Sequence, residues 1–392
     1  MELDSVLAHA LECGGSDIHL KVSGPPRARV NGALVALAGA DLTEEDLEGI
    51  LARVTEATPR KREHFEVTGE LDTSYVADGV GRFRVNGFRQ RGSISFALRH
   101  VPSNVPTLES LGLPPGVQKL ADERLGLVLV TGATGSGKST TLAAMIDRIN
   151  RSREQHIVTI EDPIEIVHDD RRCIVNQREV GVDTESYLGA LRRVLRQDPD
   201  VILIGELRDE ESAQAALHAA ESGHFVLSTM HTIDASETVG RLIEFFPVAK
   251  QAVVRQVVAS VLRGVVSQRL LPRVGGGRVA AVEVMVNTAR IADLIRDPMK
   301  TDGITDAIEE GSFHQMQSFS QHLVELVLAE VADIETASSA ATVRHDFELE
   351  LERALRRKRV AETGTGLAVE VGDIGLGANG PGGSGDLFGY GP

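Results

Sequence analysis

The chain has 392 residues, of which 42% are hydrophobic, and its 57 acidic against 41 basic residues give a formal net charge of −16. This length suggests two or three domains, and the hydrophobic fraction is ample for packed cores. The acidic balance argues against a nucleic-acid track as the main partner, although a local basic channel would be compatible with it. The two cysteines, Cys13 and Cys173, lack a metal-like spacing, so reduced thiols are expected.

Membrane and targeting signals are weak. No apolar run approaches the roughly 20 residues of a membrane span, and the strongest candidate, VVASVLRGVV, is broken by Arg263. The N-terminal stretch MELDSVLAHALECGG carries acidic residues where a signal peptide needs basic ones. These features predict a cytoplasmic protein that reaches a membrane only by docking onto something embedded there.

The first predicted domain, residues 1–100, mixes helical and strand patterns. Helical periodicity covers residues 4–12 and 44–54. Alternation of apolar and polar residues predicts strands at 16–22 and 81–86. A domain of both helices and strands is therefore expected here.

The remainder of the chain divides into three predicted segments. The stretch VPSNVPTLESLGLPPG has four prolines, which break helices and strands alike, so an interdomain linker is predicted over residues 101–120. In residues 121–357 short apolar strands alternate with helical patterns, which is typical of a parallel α/β sheet. The glycine-rich residues 358–392 are expected to be disordered, as an inert tail or as an acidic docking peptide anchored by Phe388 and Tyr390.

A glycine-rich loop opens this second predicted domain. The stretch TGATGSGKST lies between an apolar strand at 127–130 and a helical pattern at 140–150, and it fits G-x-x-x-x-G-K-[ST]. Glycines let successive N–H groups surround phosphate oxygens, and the helix N-terminus adds a positive end. Lys138 is predicted to reach the β- and γ-phosphates, and Ser139 to bind Mg²⁺. The predicted nucleotide-binding residues are Gly132, Ala133, Thr134, Gly135, Ser136, Gly137, Lys138, Ser139 and Thr140.

Two further predicted strands end in acidic residues. Glu206 follows the strand at 201–204 and is expected beside the phosphate loop, where a carboxylate can hold Mg²⁺ or its water. The strand at 157–160 runs into EDPIE, which would lie in the crevice at the carboxyl ends of the strands. One of these acids could orient or deprotonate the attacking water, and the residues alone leave open which one.

Histidines and arginines complete the candidate site. His224 and His231 flank a strand at 225–229, with a spacing that does not suit a metal site. His231 is expected in the crevice, where a polar group can sense the γ-phosphate. Arginines that meet transition-state charge often come from a neighbouring subunit. The candidates are Arg82, Arg84, Arg99, Arg192, Arg193 and Arg196.

In this order, the motifs resemble those of the secretion and pilus ATPase superfamily, and more narrowly those of the PilT-like type IV pilus retraction ATPases. VTIEDPIEIVH resembles the family's aspartate box, DPDVILIGELRD its atypical Walker B motif, and AAESGHFVLSTMHT its histidine box. SDIHL and GRFRVNGFRQRG resemble signatures of its N-terminal domain. Over roughly residues 1–355, the resemblance implies a PAS-like α+β domain followed by a RecA-like P-loop domain with a parallel sheet.

The resemblance also implies an activity, partners and residue roles. It implies a homohexamer that hydrolyses ATP with Mg²⁺ at subunit interfaces and powers pilus retraction and twitching motility. Its partners would be an inner-membrane platform protein, the pilin machinery and an accessory paralogue, with no nucleic acid. The implied catalytic residues are Glu165, with Glu161 as the competing base, the Walker B carboxylate Glu206, the histidine-box residues His224 and His231, and the interface arginines Arg84 and Arg99, with the nearby Arg82 as an alternative.

Three observations bear on the branch of this superfamily. The short N-terminal region and the lack of a four-cysteine zinc module favour retraction over pilus assembly or type II secretion. RIADLIRD stands where the retraction family has AIRNLIRE, with Ala292 and Asp293 replacing the arginine and asparagine. An accessory, PilU-like role therefore stays open. A nucleic-acid ring translocase is disfavoured, because the chain has no tryptophan and three tyrosines for base stacking.

Overall fold

The computed structural model describes residues 2–363, with side chains described as far as residue 360. Its first sheet has six antiparallel strands in the order β3-β2-β1-β6-β5-β4. The strands are β1 (Gly15–Lys21), β2 (Arg27–Val30), β3 (Ala33–Ala36), β4 (Glu70–Ala77), β5 (Gly81–Gln90) and β6 (Ser93–Val101). The helices beside them are α1 (Leu3–Glu12), α2 (Glu44–Val54) and α3 (Pro59–Thr68). The two helices and two strands predicted in this region are confirmed, with β5 four residues longer than its predicted end.

Local sequence explains why these elements form. Helix α2 begins with a capping box, in which Thr43 accepts the Asp46 N–H and the Asp46 side chain accepts the Thr43 N–H. Its apolar residues recur with helical spacing and are buried in the core of the first sheet: Leu47, Ile50, Leu51 and Val54. The same core holds the fully buried rings of Phe65, Phe83 and Phe96.

Part of the predicted linker is structured. Residues 102–114 carry no helix or strand, but α4 (Pro115–Ala121) follows at once. Val117 and Leu120 of this helix are buried in the core of the second sheet. The prediction of a linker as far as residue 120 is therefore wrong in its last part. Pro115, one of the four prolines that suggested a break, stands at the first helical position, where no backbone N–H is needed.

The second sheet has seven strands in the order β13-β12-β7-β11-β10-β8-β9. They are β7 (Gly126–Thr131), β8 (His156–Glu161), β9 (Ile174–Glu179), β10 (Val201–Ile204), β11 (Phe225–Met230), β12 (Leu262–Pro272) and β13 (Arg278–Val286). Strands β12, β7, β11, β10, β8 and β9 run parallel, whereas β13 pairs antiparallel with β12. The predicted parallel sheet is confirmed for six strands, and the antiparallel edge strand β13 makes the sheet mixed.

Helices surround the second sheet. They are α5 (Lys138–Ser152), α6 (Tyr187–Val194), α7 (Glu210–Glu221), α8 (Ala235–Glu244), α9 (Val248–Val261), α10 (Ala289–Arg296), α11 (Ile304–Glu309), α12 (Phe319–Leu328), α13 (Ile334–Ala340) and α14 (Arg344–Thr363), with short 3-10 turns at Thr301–Gly303 and Ser312–His314. Among residues 2–363, no helix combines the length and the apolar character needed to cross a bilayer. Because β7, β8, β10 and β11 are parallel, their carboxyl ends meet at one edge of the sheet.

The predicted start of the tail at residue 358 is also corrected, because α14 runs on to Thr363. The segment RALRRKRVAE is made largely of strong helix formers, so the helix continues past the predicted boundary. The predicted docking peptide with Phe388 and Tyr390 lies outside the described residues.

Candidate active site

The glycine loop joins the end of β7 to the start of α5. Gly132 has φ +138° and Gly137 has φ +93°, backbone conformations that residues with a side chain rarely adopt. A Cβ on Gly132 would lie 2.3 Å from the backbone oxygen of Gln268 on β12. The loop therefore needs glycine both for its turn and for its close approach to the neighbouring strand.

Lys138 begins α5 and is buried. Its Nζ donates to the carbonyl oxygens of Gly132 at 2.7 Å and Ala133 at 3.0 Å. Burial lowers the pKa of Lys138, while the negative charge of Glu206 opposes that shift. The buried Ser136 Oγ has no hydrogen-bond partner within the described residues. A cationic side chain, an unpartnered hydroxyl and a helix N-terminus around a glycine loop fit a phosphate group.

Glu206 lies just beyond β10, at the same edge of the sheet. Its Oε1 is 3.1 Å from Nε2 of His231, and its Oε2 accepts from Nε of Arg208 at 3.0 Å. Its backbone N–H donates to Tyr187 Oη at 2.9 Å. The structure therefore brings Glu206, His231 and the glycine loop together, as the sequence predicted, because β10 and β11 end side by side.

The acidic stretch EDPIE after β8 holds its two glutamates in different ways. Glu161 accepts hydrogen bonds from Thr159 Oγ1 at 2.7 Å and from Gln177 Nε2 at 3.0 Å. Burial raises the pKa of Glu161 in spite of these bonds and of one from the Glu165 N–H. Glu165 is exposed, and within the described part of the chain its carboxylate makes no hydrogen bond or ion pair. Glu161 is thus occupied in shaping the turn, whereas Glu165 is free to meet a ligand.

One cleft of about 930 Å³ receives most of the predicted site residues. Its walls include the glycine loop, both glutamates of the acidic stretch, Glu206 and His231. Asp162, the third carboxylate of the acidic stretch, also lines the cleft, whereas the sequence had indicated no role for several other lining residues: His168, Tyr187, Arg208, Asp209, Thr229 and Arg278. His168, Arg208, Asp209 and Thr229 belong to the three motifs that resemble the family's boxes, and that membership was the available signal. Arg278 had none, because it enters on the antiparallel strand β13.

His224 is not part of this cleft. It precedes β11, at the edge of the sheet opposite to His231, and its Nδ1 lies 3.0 Å from both Ser222 Oγ and the Ala219 carbonyl oxygen. A strand of six residues spans about 20 Å. The prediction that groups His224 with the catalytic residues is therefore corrected for the site within one chain.

The two predicted interface arginines are cross-strand partners on β5 and β6, and both are exposed. Arg99 donates to Asp17 at 2.7 Å and lines the cleft. Arg84 does not line it, and its guanidinium has no partner within the described residues. Arg82 instead contacts Glu179 at 2.9 Å. The arginines of α6 and its C-terminal end (Arg192, Arg193 and Arg196) are exposed and lie away from the cleft.

A glycine loop with Lys and Ser between a parallel strand and a helix, with a carboxylate at the end of a neighbouring parallel strand, is the arrangement of P-loop nucleoside triphosphatases. The family model for type II/IV secretion system proteins matches residues 2–358, and the chain belongs to that family. It is an ATPase of this family.

Known relatives match the chain over most of its length. It is 42% identical over 347 residues to the type IV pilus retraction ATPase PilT of Pseudomonas aeruginosa, covering 88% of this chain and 100% of the relative. It is 40% identical over 351 residues to the type IV pilus ATPase PilU of the same organism, covering 89% and 91%. A crystal structure of the pilus retraction motor PilT with bound ADP has a TM-score of 0.80 and 43% identity, covering 90% of this chain and 99% of that one.

Proposed function

We propose that this ATPase is a Mg²⁺-dependent hexameric motor that powers the retraction of type IV pili. The observation that carries the proposal is similarity to PilT along the whole relative, combined with a cleft lined by Lys138, Glu165 and Glu206. The motor would work at the inner face of the cell membrane, on the platform protein and pilin machinery. We also propose two functional units: a PAS-like unit over residues 1–100, and a RecA-like unit, predicted over residues 121–357, which α4 and the end of α14 extend to residues 115–363.

The proposed chemistry follows from the contacts in the cleft. The loop N–H groups and Lys138 would hold the phosphates of ATP, and Ser139 with Glu206 would hold Mg²⁺, which when bound neutralises phosphate charge. Glu165, exposed and unpaired, would orient and deprotonate the attacking water. His231 would report the state of the γ-phosphate, because its Nε2 is 3.1 Å from Glu206 Oε1.

We propose a hexamer because the cleft needs an arginine that a neighbouring subunit could supply. Hydrolysis needs positive charge beside the transferred phosphoryl group, and in many P-loop enzymes a neighbouring subunit supplies it. Arg84 is exposed and unpaired within the described residues, so it is available to an adjacent subunit. A ring in which Arg84 completes the next subunit's cleft would couple closure of each interface to hydrolysis.

An accessory retraction role is the second candidate. The identities to PilT and PilU differ by too little to separate these functions. The specific observation is in α10, where Ala292 is buried and Asp293 pairs with Arg296 at 2.7 Å. The retraction family's arginine and asparagine are replaced at these two positions.

Deleting the gene in its source organism and counting surface pili tests the proposal. Excess pili with no twitching are expected, because assembly would continue without retraction. Loss of pili would contradict retraction and indicate an extension motor. An unchanged count would point to a redundant paralogue or to secretion. Re-expression of the unaltered chain should restore normal pilus numbers and serves as the control.

A further inference from the structure

Glu179 ends β9 and joins the two sheets through one buried carboxylate. Only 3% of its side chain is exposed. From the first sheet, Ser74 Oγ donates to Oε1 at 2.5 Å and Arg82 Nη2 donates to Oε2 at 2.9 Å. From the acidic stretch, the Ile164 N–H donates to Oε2 at 3.1 Å. A single side chain is thus held by both halves of the molecule.

The position of Glu179 brings this contact beside the catalytic cleft. Strands β8 and β9 are parallel neighbours, and Glu161 is directly opposite Glu179 in their register. The acidic stretch leaves β8 at Glu161 and returns over the end of β9, where Ile164 meets the Glu179 carboxylate. Glu165 is the next residue, so a shift at Ile164 moves Glu165 as well.

A buried carboxylate depends strongly on its partners. Removing one partner leaves a charge that water cannot reach, which is far more costly than losing an exposed ion pair. If the first sheet moved away, Glu179 would lose both Arg82 and Ser74 and would have to reach solvent or shift toward Ile164. The position of the first sheet and the position of the acidic stretch therefore depend on each other, because both contact the Glu179 carboxylate.

We propose that Arg82 and Glu179 form a positioning pair, which sets Glu165 for hydrolysis only while the first sheet is seated on the second. This inference rests on the proposed function, because it needs Glu165 as the base. Arg82 does not line the cleft, so it acts through Glu179 and not on the phosphate. The pair would give the chain a way to tie domain movement to the chemical step within one subunit.

A second ion pair between the two halves of the chain offers a matched control. Arg60 on α3 donates to Glu185 at 2.6 Å, but each of these side chains is 84% exposed. This pair also crosses from the first half of the chain to the second, without a buried carboxylate and without a contact to the acidic stretch. Arg60→Gln therefore removes a crossing ion pair while leaving the positioning pair intact.

ATP turnover should be measured for Arg82→Gln, Glu179→Gln, the double variant and Arg60→Gln. Each positioning variant is expected to lower kcat about tenfold with KM for ATP within about twofold. The double variant should fall no further than the worse single one, because the two residues act as a unit. Arg60→Gln should stay within about twofold of the unaltered protein. If the fold-loss in kcat of the double variant equals the product of the two single losses, Arg82 acts independently of Glu179, and the proposal is overturned.

Amide hydrogen exchange gives a readout that a merely structural role would not move. The peptide containing Ile164 should exchange faster in Arg82→Gln and Glu179→Gln, but not in Arg60→Gln, with global stability matched by thermal unfolding. Unchanged exchange and kcat overturn the inference. If either glutamine variant does not fold, Ser74→Ala and Arg82→Lys make the same test with milder changes, and unaltered kcat and exchange in both would overturn it.

Different results would rule out the proposed hydrolysis mechanism and the positioning pair. An unaltered chain without ATPase activity, or a fully active Glu165→Gln, would remove the proposed mechanism. An active chain that loses activity in Glu165→Gln, yet tolerates every change at Arg82, Glu179 and Ser74, would remove only the positioning pair.

Discussion

Replacing Glu165 by glutamine keeps the size of the side chain and removes its ability to take a proton. A positioned general base contributes roughly 10² to 10⁴ in rate, which is about 3 to 5 kcal/mol of transition-state stabilisation. Because Glu165 is exposed and its carboxylate makes no hydrogen bond within the described residues, the substitution should leave folding and nucleotide affinity unchanged. We therefore expect kcat to fall by at least about 100-fold, with little change in the affinity for ATP.

Glu161→Gln is the comparison, because it changes a glutamate of the same turn. Its carboxylate is held by Thr159 and Gln177 and accepts the Glu165 N–H. A glutamine side chain carries an NH₂ group in place of one carboxylate oxygen, so at least one of these three donors would lose its acceptor. The loss should lower the free energy of unfolding by about 1 to 3 kcal/mol. A lowered thermal midpoint with a smaller loss of kcat is expected. Phosphate release at saturating ATP and Mg²⁺, with binding of a fluorescent nucleotide, measures both variants. A fully active Glu165→Gln beside an inactive Glu161→Gln would refute the assignment of the base.

Three further predictions concern the phosphate loop and its metal. Lys138→Ala should abolish turnover, since the buried cation at the start of α5 is lost, and unchanged hydrolysis would remove the P-loop assignment. Gly132→Ala should weaken nucleotide binding and lower the free energy of unfolding by about 2 to 4 kcal/mol, because its Cβ would meet the Gln268 carbonyl. The control is Gly79→Ala, where φ is +71° and the Cβ would stand in open space. It should lower the free energy of unfolding by only about 1 to 2 kcal/mol and leave ATP binding unchanged. A chelator should stop hydrolysis and added Mg²⁺ should restore it, whereas turnover in full chelation would exclude a metal-dependent step.

The elements that the sequence predicted well have a strong local signal. Strand β7 is a run of apolar residues buried on both faces, and the glycine loop follows it directly. The boundary between α9 and β12 carries no such signal, because the apolar run VVASVLRGVV passes from the helix into the strand without a change in composition. Periodicity cannot separate a buried helix from a buried strand over so few residues.

Local sequence patterns also predict only part of the candidate site, because some of its contacts join residues that are far apart in the chain. Parallel strands bring their carboxyl ends to one edge, so Lys138, Glu206 and His231 could be placed together from the sequence. Arg82 and Arg84 lie on the same face of β5, and alternation alone cannot say which one meets a partner. The Glu179 contact depends on how two separate sheets pack, and no local pattern records that arrangement.

The central claim is that hydrolysis in this cleft drives pilus retraction. The most direct test is to follow fluorescently labelled pili in living cells whose only copy of the gene carries Glu165→Gln. The account predicts that pili still extend but do not retract, while the same cells with the unaltered gene show both. Retraction at normal speed in the Glu165→Gln cells would contradict the account.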